Sequence, residues 1–176
     1  MVLLYGDLYG TLARRIKPLP PGASTSGQDR FRAPEEKDLP NLYQLDHEAF
    51  GEAEGYDYLF LRQLFDIHRR DFILLEHDGA LRGYALPVHV SGEDHASLLA
   101  LGVFPEFQRR GCGKALLDAA VSHSKATGAR RMNLVVRPDN EVARRLYKRY
   151  GFRYVGFGKD YYGPGRDRVL MTFVFD

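Results

Sequence analysis

Arg109, Arg110, Gly111, Gly113 and Lys114 stand together in the run Val-Phe-Pro-Glu-Phe-Gln-Arg-Arg-Gly-Cys-Gly-Lys-Ala-Leu-Leu, residues 103–117. Glycines let main-chain N–H groups converge on an anion, and three cations add charge at the same place. The apolar run Leu98–Val103 ahead of them reads as a strand. Leu116, Leu117, Ala120 and Val121 behind them fall at helical spacing. A helix that starts here brings its positive dipole end to the glycines, so the segment suits a phosphate or diphosphate.

Two common phosphate loops fail on spacing. A nucleotide-binding loop ending in Gly113-Lys114 needs Gly at 108 and Ser or Thr at 115, where the chain has Gln108 and Ala115. A dinucleotide fingerprint from Gly111 and Gly113 needs a third small residue at 116, where Leu116 stands. A second segment, residues 133–152, reads as strand, loop, helix and stop. Asp139 or Asn140 supplies the helix N-cap. Ala143, Leu146, Tyr147 and Tyr150 recur on one face, and Gly151 suits the left-handed C′ position. A third segment, residues 160–171, carries a Tyr161-Tyr162 pair, a Gly-Pro-Gly turn and Arg166-Asp167 ahead of a closing apolar strand.

The Gln-x-x-Gly-x-Gly pattern after Leu101-Gly102-Val103, followed by the Asn140 loop and the Leu146-Tyr147 pair, resembles the GNAT superfamily of N-acetyltransferases. The third segment is closest to its RimI-like (ribosomal-protein alanine N-acetyltransferase) branch. The resemblance spans roughly residues 30–175 and is strongest from Leu98 onward. It implies a mixed α/β fold: a central, mostly antiparallel sheet of about six or seven strands, splayed between its fourth and fifth, with about four helices. It also implies acetyl-CoA as acyl donor and direct attack on the thioester by a primary amine, on a protein N-terminus or a small molecule. A non-catalytic acyl-CoA sensor with the same fold is the alternative. Carried over residue by residue, the diphosphate falls to Gln108, Arg109, Arg110, Gly111, Cys112, Gly113 and Lys114. The pantetheine arm falls to Leu101, Gly102, Val103 and Asn140, and Tyr147 lies beside the sulfur, where a phenol can protonate the leaving thiolate. The branch's glutamate in a Leu-Glu-Val-Arg pattern is here Val135, in Leu134-Val135-Val136-Arg137. That removes the usual base and leaves His95 as the candidate, with His89, Glu93 and Asp94 near it in the chain. No metal is implied.

Composition sets the bounds. The chain has 176 residues with 44% hydrophobic content and a net charge of +2, enough for one core and too little charge for a nucleic-acid or membrane field. One cysteine excludes an internal disulfide and suits a reducing, cytoplasmic setting. No apolar run approaches a membrane span. Pro18–Gly27 is a linker by composition, so residues 1–28 are expected to form an N-terminal extension and residues 29–176 the domain. Helices are expected from Asp38 to about Phe50 and from about Tyr56 to Arg69. Strands are expected over 72–76 and 81–90 about an Asp78-Gly79 turn, and over 169–175. Acceptor specificity is expected from about 45–65, 89–96 and 158–167, where Phe50, Tyr56, Tyr58, Tyr161 and Tyr162 wall a pocket or fill core. Oligomeric state is open, a homodimer included.

Overall fold

Leucines at 39, 42 and 45 share one helical face and are buried; Leu61, Leu64 and Phe65 do the same on the next helix. These two stripes cover one side of a sheet, and a longer helix covers the other. The computed structural model describes residues 29–90 and 92–175; the extension and linker expected over 1–28 lie outside them. The elements are β1 (Asp29–Arg32), α1 (Leu39–Phe50), α2 (Tyr58–His68), β2 (Ile73–His77), β3 (Ala80–His89), β4 (His95–Val103), α3 (Cys112–Ala126), β5 (Arg131–Val136), α4 (Glu141–Tyr150), β6 (Arg153–Gly158) and β7 (Arg168–Val174). Single 3-10 turns precede α1, over Glu36–Asp38, and follow β4, over Pro105–Phe107.

The seven strands form one sheet in the order β1-β2-β3-β4-β5-β7-β6. Every neighbouring pair is antiparallel except β4 and β5, which run parallel because α3 carries the chain across. This is the mixed architecture the resemblance implied. The β2–β3 hairpin turns on Asp78 (φ 53°) and Gly79 (φ 75°), two positive dihedrals in succession that match the strand twist. α4 starts at Asn140, whose side chain accepts from the Ala143 N–H at 3.0 Å, and stops at Gly151 in the left-handed region. Asn140 is therefore the cap, and Asp139 pairs with Arg137 instead.

Two apolar clusters sandwich the sheet. One lies under α3 and α4 and draws on strands from both halves, including Leu75, Ala85, Leu98, Leu134 and Met171. The other lies under α1 and α2 and draws only on β2, β3 and β4. That second face of β5, β7 and β6 is left without a helix, and a cavity opens there.

Candidate active site

Parallel pairing of β4 with β5 lasts three residues: His95 with Arg131, Ala96 with Met132, and Ser97 with Asn133. Beyond Ser97 the strands part. β4 stays zipped to β3 as far as Val103, and β5 to β7 as far as Val136. The edge of β4 that faces β5 is thus left with main-chain donors and acceptors that no strand satisfies, an arrangement suited to an extended polar ligand.

A cavity of about 740 Å³ fills this V. Its floor is Leu98–Leu101 from β4 and Val135 and Val136 from β5. Its sides are Asn140, Ala143 and Tyr147 from α4, and Phe50, Tyr56 and Phe60 from α1, α2 and their connection. Tyr162, Arg166 and Arg168 close the β6–β7 side.

The floor carries a second irregularity. β3 and β4 pair Leu86 with Ala100 and Pro87 with Leu98, so Leu99 bulges out of register. Pro87 has no N–H to offer, which is why the ladder slips there. The Tyr56 hydroxyl donates to the Leu99 carbonyl at 3.1 Å. Tyr56 is set in turn by its own N–H, which donates to the Asp46 carboxylate at 2.6 Å. The Tyr84 hydroxyl donates to the other oxygen of Asp46. Asp46 is fully buried, and that burial pushes its pKa up from the usual carboxylate range.

Past Val103 the chain makes the Pro105–Phe107 turn and then the glycine turn. Gln108 spends its side chain inward, donating to the Val103 carbonyl at 3.1 Å. Arg109 (φ 59°) and Gly111 (φ 90°) both take left-handed dihedrals. The first intrahelical bond of α3 runs from the Ala115 N–H to the Gly111 carbonyl at 3.0 Å. The N–H groups of Cys112, Gly113 and Lys114 precede it and have no helical acceptor. Among the described residues no side chain caps this end, and a Cβ at Gly111 would meet nothing within 4 Å. Gly113 sits where α3 meets α4: a Cβ there would come within 3.2 Å of Leu146. Lys114 leans to Asp118 at 2.8 Å, while Arg109 and Arg110 are exposed. The turn lies beyond the cavity's lining, at the end of the strand that forms its floor.

Tyr147 is buried in the cavity wall against Phe152 and has no hydrogen-bond partner among the described residues. Burial pushes its phenol up to about 12. Leu101, Asn140 and Tyr147 therefore meet in one cavity, whereas Gly102 packs on Leu45 and Ala49, and Val103 joins the core. His95 is not brought there. It begins β4 at the zipped end, with its Nδ1 3.4 Å from Asp94. Tyr58 packs edge-on against Tyr43 and Tyr161 against Tyr162, both outside the lining that Phe50, Tyr56 and Tyr162 supply.

The cavity's carboxylates are engaged. Glu54 pairs with Arg168, which is buried, donates also to the Asp167 carbonyl and stacks on Tyr162. Arg166 donates to the Ala53 carbonyl at 3.2 Å, so two arginines bind the α1–α2 connection across the mouth. Asp57 caps α2 through the Phe60 N–H. Arg137 holds the Asp139 carboxyl below the usual range.

An open strand edge beside a buried phenol, with a glycine turn and unpaired helix N–H groups at the strand's end, is an arrangement suited to an extended ligand that carries an anionic group. The comparisons with known proteins agree. The acetyltransferase (GNAT) family model matches residues 37–152. An N-alpha-acetyltransferase of Sulfurisphaera tokodaii is 31% identical over 130 residues, 68% of this chain and 78% of that protein. A ribosomal protein bS18-alanine N-acetyltransferase of Escherichia coli is 28% identical over 150 residues, 78% of this chain and 92% of its own. The crystal structure of Ard1 from Thermoplasma volcanium matches with a TM-score of 0.76 at 25% identity, over 84% of this chain and 98% of that one. The chain belongs to the acetyltransferase (GNAT) family, in its RimI-like part. It is an acetyl-CoA-dependent N-acetyltransferase whose acceptor is an amine.

Proposed function

We propose that the acceptor is a protein or peptide α-amine, acetylated by direct attack on the thioester of acetyl-CoA. The donor's diphosphate sits on the turn at 108–114, and its pantetheine arm completes the open edge of β4 past Ser97. The acyl group then lies at the Leu99 bulge. A main-chain N–H there steadies the developing oxyanion, and Tyr147 donates a hydrogen bond to the departing sulfur.

The observation that carries the choice of amine is that, among the described residues, every carboxylate lining the cavity is engaged. Val135 replaces the branch's glutamate, and His95 lies at the zipped end of β4. Asp46 is buried behind Tyr56, and Glu54, Asp57 and Asp139 each hold a partner. An amine entering this cleft must arrive already neutral. At pH 7.5 an α-amine with a pKa near 7.8 is about one-third neutral, and a lysine amine near 10.4 only about one-thousandth. The two differ by roughly 250-fold before any contact is made. The named relatives point the same way, since one is an N-alpha-acetyltransferase and the other acts on a ribosomal-protein alanine.

The test is thiol release with peptides carrying a free α-amine, the same peptides blocked at the N-terminus but bearing lysine, and small amines. The reading expects kcat/KM for the free α-amine to rise with pH along that amine's own titration. It also expects acceptors of lower amine pKa to shift the profile to lower pH. Equal turnover of blocked lysine peptides at pH 7.5 refutes it. Tight acetyl-CoA binding with no turnover of any amine makes the protein a sensor.

A further inference from the structure

The glycine turn leaves one charged residue unaccounted for. β2 and β3 pair Leu75 with Gly83 and Glu76 with Leu81, so Arg82 between them is skipped. A bulge of this kind re-aims a side chain that the pleat would have fixed. The Arg82 guanidinium carbon lies 4.8 Å from the centre of the Phe107 ring. The same group lies against the Cys112 thiol, where it opposes the upward push that burial gives that thiol. Phe107 leads into the turn and Cys112 is the first residue of α3 after it. Arg82 therefore touches both ends of the segment 107–112 from below.

The Arg82 Nε is buried and makes no hydrogen bond among the described residues. Of the two acids on the neighbouring strands, Glu76 is held by Arg32 at 2.5 Å, while Asp29, 2.8 Å from the His77 ring, is the one whose charge also reaches Cys112. A cation beside the first turn of a helix stands at the unfavourable end of the dipole. Arg109 and Arg110 crowd the same helix start. Such a gathering of like charge is repulsive when empty and favourable once an anion lies among it.

We propose that Arg82 is a fourth cation of the donor's diphosphate site, a positioning residue that braces the turn through Phe107 and Cys112 and adds its charge to the field there. The proposal rests on reading the turn as that site. Its test compares the wild type with Arg82→Met, which keeps an unbranched stem without charge, and Arg82→Lys, which keeps the charge without the plane. CoA is titrated calorimetrically, and turnover is measured with acetyl-CoA and with S-acetylpantetheine, which lacks a diphosphate.

Arg82→Met is expected to weaken CoA binding about tenfold, with the loss in KM for acetyl-CoA rather than in kcat. Arg82→Lys is expected to stay within about threefold of wild type. S-acetylpantetheine turnover is expected to be alike in all three. Arg82→Gln replaces Arg82→Met should that variant fail to fold. Unchanged CoA affinity without the charge overturns the proposal. So does an equal loss in Arg82→Lys, which would make Arg82 a stacking brace only, or a parallel loss with S-acetylpantetheine. Failure of the underlying reading has a separate signature: wild type that handles acetyl-CoA no better than S-acetylpantetheine.

Discussion

Replacing Tyr147 by phenylalanine removes one hydroxyl from the cavity wall and tests what the phenol does. Its pKa is pushed up to about 12 by burial. A thiol of ordinary acidity has a pKa near 8.5. Handing a whole proton from this phenol to a free thiolate is thus uphill by about 3.5 pH units, or roughly 5 kcal/mol. A hydrogen bond from the same hydroxyl to the charged sulfur costs no such transfer and contributes about 1.5–3 kcal/mol. Tyr147→Phe should therefore lower kcat about 10- to 150-fold and leave KM for acetyl-CoA near its original value. The acceptor's own released proton ends on the thiolate. The assay is thiol release at saturating donor from pH 6.5 to 10, with each profile normalised to its maximum. Because the phenol stays protonated over that whole range, the two normalised profiles should superimpose. A loss below threefold, or an alkaline decline present in the wild type and absent from Tyr147→Phe, would refute the reasoning.

Glu54→Gln leaves the buried Arg168 without its counter-ion. The remaining bond to the Asp167 carbonyl and the stack on Tyr162 soften the loss, so a stability cost of about 2 kcal/mol is expected in urea unfolding; an unchanged midpoint would deny the pair any role. Gly111→Asp puts a carboxylate on open space at φ 90° beside the helix start, and Gly113→Asp presses on Leu146 as well. Each should cost at least about 30-fold in CoA affinity by calorimetry, and full affinity in either would remove the diphosphate from this turn. Alkaline stability is the last. The unfolded chain ionises its tyrosines near pH 10, while folded Tyr147 holds its proton to about 12. The unfolded state therefore binds fewer protons between these values, and stability falls as pH rises through them. Tyr147 supplies roughly 2–3 kcal/mol of that fall, so Tyr147→Phe should flatten the decline in urea midpoint. A slope equal to wild type would count against a buried phenol.

How much of this could be read in the chain depended on how local each feature is. The glycine turn announces itself because the required dihedrals and unpaired N–H groups belong to consecutive residues. The caps of α4 at Asn140 and Gly151 are equally local. The edges of elements moved by one or two residues, as at the end of β7, where fraying outweighs pattern. The Leu99 bulge had a visible signal in Pro87, a residue that cannot donate inside a strand, but its carbonyl's partner, Tyr56, lies 43 residues away in sequence. Glu54 and Arg168, 114 residues apart, meet only because the sheet brings β7 beside the α1–α2 connection. His95 shows the opposite hazard. Its residue type alone makes it a candidate base, and the register of two parallel strands sets it where they are joined rather than where they part. Arg82 carries no local signal, because in Leu81-Arg82-Gly83 a bulge cannot be told from plain strand.

The brief union of β4 and β5 makes the sheet two leaves sharing a short spine. On the α3 side a common apolar mass glues the leaves together; on the other side, among the described residues, two arginines reach over the gap. On the proposed reading, a thioester carrier lying in the fissure adds a temporary eighth strand along the open edge of β4. Loading with donor should then slow amide hydrogen exchange along Leu98–Val103 more than anywhere else in the molecule, and release of free CoA should return those amides to solvent. Each turnover would then close and reopen an unfinished sheet.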